Sequence, residues 1–184
     1  MLETRPPEDL RVEEVLELSG ISTGSLYHHF DDFGHLVETA LIARYLKILE
    51  KGAVLLEDAV SESRPKSDVK AAALAAGAQY AGINTPELRF ERARILGMCE
   101  SHPRMREALG EAQQDFTDRL TSIFERGQTE GGRINRDLDP RALAVFLQAY
   151  TFGRIVDDIV PDPMRQEDWL ALVDTMFEQV VLVD

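Results

Sequence analysis

The stretch from Ser19 to Phe30, Ser-Gly-Ile-Ser-Thr-Gly-Ser-Leu-Tyr-His-His-Phe, restricts the fold more than any other part of the chain. Gly20 is placed to end one short helix, because glycine alone enters the left-handed backbone region without a steric penalty. Ile21 is expected to drop an apolar anchor into the turn, and Ser22 or Thr23 to cap the helix that follows. Leu26 and Phe30 lie four apart and face inward together, leaving Thr23, Ser25, Tyr27, His28 and His29 to point outward. Two short helices joined this way make a helix-turn-helix. The outward hydroxyls and imidazoles are groups that reach phosphate oxygens and base edges in a major groove.

The rest of the chain reads as helices separated by short polar breaks. The first helix of the pair is expected over Glu8 to Ser19, with Leu10, Val15, Leu16 and Leu18 available for burial. A long helix begins near Phe33 or Gly34 and runs to about Glu62, with Leu36, Ala40, Ala43 and Leu46–Lys47 at near-heptad spacing and Leu49, Val54 and Leu56 further along. After a break at Ser63 to Ser67, helices follow over Asp68 to Ala81 and Pro86 to about Cys99. The next runs from His102–Pro103 to about Arg126, with Leu109, Phe116, Leu120 and Phe124 along one side. Gly127 to Asp139 is a loop, and Pro140 suits a helix's first turn. Arg141 to Val160 and Gln166 to Val183 complete the set. No segment alternates as a strand does, so the expected fold is all-α, a head at residues 1–36 on a larger helical body at 37–184.

At 184 residues the chain can bury a real core. Its one cysteine, Cys99, excludes an internal disulfide and fits a reducing cytoplasm. No basic start leads into an apolar run, so no signal peptide is expected. The uncharged stretch Ala71 to Pro86 is too short and polar to span a membrane. No nucleophile–base pair, phosphate loop or dinucleotide fingerprint is present, so an enzyme is not expected, nor a cofactor. His28, His29, Asp31, Asp32 and His35 have metal-binding chemistry, but the helix-turn-helix accounts for that segment better, and no metal site is expected. Cys99 and His102 lack a second pair. Asp157, Asp158 and Asp162 read as a solvated loop near Arg154 and Arg165. The net charge is −13. From Met1 to Leu36, Arg5 and Arg11 stand against Glu3, Glu8, Asp9, Glu13, Glu14, Glu17, Asp31 and Asp32, the wrong balance for neutralising phosphates.

The run Gly-Ile-Ser-Thr-Gly-Ser-Leu-Tyr-His-His-Phe, followed by Leu36 and a long helix, resembles the TetR family of bacterial transcriptional repressors. That family's pattern is roughly Ala-Gly-Val-Ser-x-Gly-Thr-Leu-Tyr-x-His-Phe-x-x-Lys-x-x-Leu. A second likeness lies at Gly131 to Gly153, where Gly-Arg-Ile-Asn-Arg-Asp-Leu-Asp-Pro, then Ala142, Phe146, Leu147 and Gly153, looks like the lead into the family's dimerisation helices. The resemblance implies a regulator that binds double-stranded operator DNA, with Tyr27 and His29 on the backbone and Thr23, Ser25 and His28 facing the groove. Two departures stand out. The family's lysine position is occupied by Phe33, and only Met1 to Leu10 stand where the family has a whole helix, so about one helix of the head is missing.

The last two helices carry more apolar residues than one packing face requires. Leu143, Phe146, Leu147, Tyr150 and Ile155 lie on one, and Trp169, Leu172, Val173, Met176, Phe177 and Val180 on the other, with Gly153 allowing close backbone approach. They pack either inside one protomer or against a twofold mate. The resemblance implies the second, a homodimer. It also implies an unidentified small-molecule effector in the helical body, for which Tyr80, Phe90, Leu96, Met98, Phe116, Phe124, Tyr150 and Phe152 are candidates. The expectation is a ligand-responsive repressor. The alternative is a dimeric sensor or interaction protein of the same fold that no longer binds DNA.

Overall fold

Eight α-helices follow one another with short connections in a computed structural model, which describes residue 5 and residues 7–59, 66–129 and 134–182. They are α1 (Val12–Ser19), α2 (Thr23–His29), α3 (Phe33–Ala59), α4 (Lys66–Ile83), α5 (Pro86–Met98), α6 (Pro103–Thr129), α7 (Pro140–Gly153) and α8 (Gln166–Met176). No strand occurs among the described residues, only an isolated antiparallel bridge between Ile134 and Leu182. The fold is all-α. Residues 63–65 of the expected break, and Gly131, Gly132 and Arg133 of the second likeness, lie outside the described residues.

Local chemistry sets several helix ends. Thr85 and Asp139 cap α5 and α7, each accepting a backbone N–H three residues on, with Pro86 and Pro140 in the first turns. Asp32 accepts the His35 N–H at 2.7 Å and so opens α3. Three expected boundaries are corrected. The first helix does not begin at Glu8: a 3-10 turn, Pro7–Asp9, comes first, and Leu10 is buried in the link to α1. The penultimate helix stops at Gly153 rather than Val160. Beyond it a 3-10 turn leads to Asp157, whose carboxylate accepts the Met164 N–H at 2.8 Å and closes a loop. The last helix gives way at Phe177 to a wide π-turn, Phe177–Val181. Asn135 donates to the Val181 and Val180 carbonyls there, fastening that end to the α6–α7 loop.

Two apolar clusters form the core. One joins Leu41, Tyr45 and Leu49 of α3 to Ile95 of α5 and Met105 and Leu109 of α6. The other joins Ala53 of α3 to Leu120, Ile123 and Phe124 of α6, Leu143 and Ala144 of α7, and Ile134 and Val181. Phe116 packs against both. The expected stripe along α6 is therefore the one that is buried. On α3 the expectation is corrected in part: Leu49 is inward, with Leu41, Tyr45, Ile48 and Ala53 beside it, but Ala43, Lys47 and Val54 are exposed. This helix is apolar on more than one side, and the helices packed on it choose the face.

Gly52 of α3 lies under the Tyr80 ring of α4. A Cβ there would sit 2.7 Å from Tyr80 Cε2. Gly52→Ala should therefore displace that ring and cost about 1–3 kcal/mol. Urea denaturation followed by far-UV circular dichroism measures the loss.

Candidate DNA-binding face and effector cavity

The helix-turn-helix forms as its local sequence dictates. Gly20 sits at φ 70° and its N–H closes α1 on the Leu16 carbonyl at 2.9 Å. Ser22 caps α2, its hydroxyl accepting the Ser25 N–H at 3.1 Å. Leu26 is buried, Phe30 half-buried, and Thr23, Ser25, Tyr27, His28 and His29 all face solvent. The two imidazoles meet edge to face, 5.1 Å between centroids. Ile21 corrects its expectation, because it is exposed rather than anchored, and so is Leu18, at 73%. No described element covers them.

The cations around this head are already engaged. Arg5 forms a two-pronged pair with Glu14, and Arg11 reaches the Glu8 carbonyl. Arg104, at the start of α6, grips Asp32 through both terminal nitrogens at 3.2 Å and Glu38 of α3 through Nε at 2.8 Å. The α2–α3 corner is thus tied to the body. Among the described residues no group of histidines, cysteine and carboxylates is placed to hold a metal ion.

The Arg104 guanidinium first, then the His35 N–H, hold the Asp32 carboxyl below its ordinary value of 3.8. A carboxyl depressed in the folded state contributes stability that is present above the unfolded value and lost as pH falls through the folded one. Acid should therefore release the corner between α2 and α3 before the core unfolds. Amide NMR shifts of residues 31–38, followed from about pH 5 to about pH 3, are expected to move together, and those of α6 past Leu109 to stay.

In the body, a cavity of about 80 Å³ opens among α3, α4, α6, α7 and α8. Of the candidate residues, Tyr80, Phe116 and Tyr150 line it, with Gly52, Leu56, Leu147, Gln148, Asp174 and Phe177. Burial pushes the Tyr150 phenol well above its usual range. Five other candidates lie elsewhere. Phe90 and Leu96 are exposed on α5, Met98 packs on the Leu41–Met105 cluster, and Phe124 belongs to the core. Phe152 covers the buried Arg92 guanidinium, 5.2 Å from its ring centroid, with Tyr45 on another side at 5.9 Å. Aromatic residue type did not separate wall from packing.

The α7 and α8 residues divide in two. Leu143 is buried against α6, while Leu147 and Tyr150 turn to the core and cavity, so these three are corrected from an outer face to an inner one. Trp169 is half-buried, its ring 6.5 Å from Tyr150. Phe146, Gly153, Leu172, Met176 and Val180 remain exposed. Val145, Val156, Ile159, Val160 and Met164 join them, unforeseen. The signal for Val145 was present: Ala142, Val145, Phe146, Ala149 and Gly153 recur at helical spacing.

Asp158 departs from the solvated loop expected of it. Its carboxylate and the Arg89 guanidinium of α5 form a two-pronged pair at 2.6 and 2.5 Å, with side chains 5% and 3% exposed. Arg89 also donates to the Asn84 carbonyl, and Asn84 Nδ2 to that of Thr151 at 2.7 Å. This network binds the ends of α4, α5 and α7 together.

No family model and no curated protein matches the chain. Solved structures do. The TetR-family transcriptional regulator PfmR from Thermus thermophilus is 20% identical, with a TM-score of 0.54 over 95% of this chain and 90% of that one. A protein of Rhodococcus sp. described as a TetR-family transcriptional regulator is 22% identical, with a TM-score of 0.57 over 92% and 88%. The chain has the fold of TetR-family transcriptional regulators, along nearly its whole length. Among the described residues no helix is long and apolar enough to cross a membrane.

Proposed function

We propose that this protein is a DNA-binding transcriptional regulator, homodimeric through α7 and α8 and acting in the cytoplasm as a repressor that a small molecule releases. The observation that carries the reading is the exposed polar face of α2, five side chains on a helix fixed by Gly20 and Ser22. Tyr27 and His29 are assigned to the phosphate backbone, and Thr23, Ser25 and His28 to the groove.

The cavity supplies the means of control. α3 contains 27 residues and so spans about 40 Å. Its first turns are gripped by Arg104, and its later ones, Leu49 to Leu56, wall the cavity. A ligand that wedges α3 away from α4 tilts the other end of the same helix, and with it α2. In a twofold dimer that changes the separation of two recognition helices, which DNA binding requires to be about one turn, 34–36 Å, or a multiple. An effector with higher affinity for the wrongly spaced state lowers operator affinity by the same factor. The fold and site give no support to an enzyme.

The test is capture of sheared genomic DNA by the full chain, then anisotropy of the enriched fragment across a salt series. Nanomolar, steeply salt-dependent binding that Tyr27→Ala/His29→Ala abolishes supports the reading. One observation favours a second reading, a dimeric sensor that leaves DNA alone: Arg5, Arg11 and Arg104 are each held by the head's own acceptors. Enrichment of no fragment, even at low salt, with small-molecule binding intact, supports that one instead.

A further inference from the structure

We propose that the cavity is a receptor for an organic monocation, an ammonium or guanidinium group on an apolar body of about one aromatic ring, with the Asp174 carboxylate as its counter-ion. The proposal deepens the reading of this cavity as the effector site and rests on it.

Among the described residues that line the cavity, Asp174 alone carries a charge. The other walls are leucines, alanines, glycines and aromatic rings, with Gln148, Thr151 and the tyrosine hydroxyls as neutral polar points. Two of the polar neighbours, Gln148 and Thr151, are spoken for. Gln148 accepts from Gln113 and donates to Thr117 and the Ala144 carbonyl, and the Thr151 hydroxyl donates to the Gln148 carbonyl. Asp174 is half-buried, and its carboxylate takes no hydrogen bond from any described residue. The nearest acid on its own helix face, Glu178, has a cation: Lys70 of α4 stands 3.6 Å away. Lys70 serves Glu178, and Asp174 is left against the apolar wall with no cation among the described residues.

A carboxylate in that position is partly desolvated, and a cation brought to it gains more than in open water. Burial first, and Glu178 second, push the Asp174 carboxyl above its ordinary value, as an unmade ion pair should. The rings complete the chemistry. Tyr80, Phe116, Tyr150 and Phe177 surround the cavity, and aromatic faces attract a cation at short range while packing against an apolar body. An anionic ligand would meet the one charge of the wall with the same sign.

Three soluble probes share a carbon skeleton and differ in charge: 3-phenylpropylamine, 3-phenylpropanol and 3-phenylpropanoate. Isothermal titration of the full chain should rank the amine about tenfold tighter than the alcohol, the scale of a partly exposed ion pair, and the carboxylate weakest. Trp169, the one tryptophan, reports the same events by fluorescence through its contact with Tyr150. Asp174→Asn, nearly isosteric, should bring amine and alcohol within about twofold of each other and leave the alcohol's affinity unchanged, whereas Glu178→Gln should keep the amine's advantage. A thermal melt establishes that each variant is folded. Equal binding of all three probes, or a preference for the carboxylate, overturns the cation proposal while leaving the cavity as a ligand site. Binding of none up to millimolar concentration overturns both.

Discussion

Leu172→Glu combined with Met176→Glu is expected to turn the protein from a dimer into a folded monomer. The two side chains lie one turn apart on α8 and are 53% and 38% exposed in the isolated protomer, beside Val180 at 50% and with Phe146 at 39% on α7. Phe146 lies 5.6 Å from Tyr150, which touches Trp169 and Phe177, so one aromatic chain links the two helices beneath the face. Monomeric proteins rarely leave apolar side chains in such a continuous stripe. Burying a leucine or methionine is worth about 1.5–3 kcal/mol. A twofold interface counts each substitution twice, so about 6–12 kcal/mol is at stake before the glutamates are desolvated. At about 1.4 kcal/mol per tenfold, dimer affinity should fall by at least about three orders of magnitude. Sedimentation velocity reads the mass directly. If α8 faces solvent in the working protein, the same pair of substitutions will change neither mass nor stability.

Asp158→Ala should be the most destabilising single change, at about 3–5 kcal/mol, because it leaves the Arg89 guanidinium buried without its counter-charge. It also loosens the hold of Arg89 on the Asn84 carbonyl, and so the junction of α4, α5 and α7. The double variant Arg89→Met/Asp158→Leu removes both charges and should recover much of the loss, as apolar replacement of a buried pair commonly does. Urea denaturation of wild type and variants gives the comparison. Asp157→Ala, one residue away, removes only a cap on the Met164 N–H and should cost about 1 kcal/mol or less. Equal effects at the two aspartates would mean that the pair contributes little.

The contrast between these aspartates shows how much the sequence carried. The helix-turn-helix was legible because its determinants are local: Gly20 needs a left-handed turn, Ser22 caps three residues on, and Leu26 points inward by helical spacing alone. The sides of α6 and the apolar excess of α7 and α8 were legible for the same periodic reason. Asp158 was not, because its partner Arg89 lies 69 residues away. Nothing in a run of acidic residues tells which one a distant arginine will bury. The cavity wall was half legible. Tyr80, Phe116 and Tyr150 line it, but Phe90, Met98 and Phe152 share their apolar character and pack elsewhere. Gly52, Leu147 and Asp174 border the space only because α3, α7 and α8 meet there with α4 and α6. Leu18 and Ile21 were expected to be buried and stand exposed, with no described element over them.

In the proposed regulator, two of these heads read DNA together. Hydroxyl-radical footprinting of the full chain on the fragment it enriches from genomic DNA tests that claim most directly. Two protected patches are expected on one face of the duplex, their centres about 34–36 Å or a multiple of that apart, both lost with Tyr27→Ala/His29→Ala and both lost with Leu172→Glu/Met176→Glu. A single patch, or a footprint that survives either pair of substitutions, or no enriched fragment to protect, would contradict it.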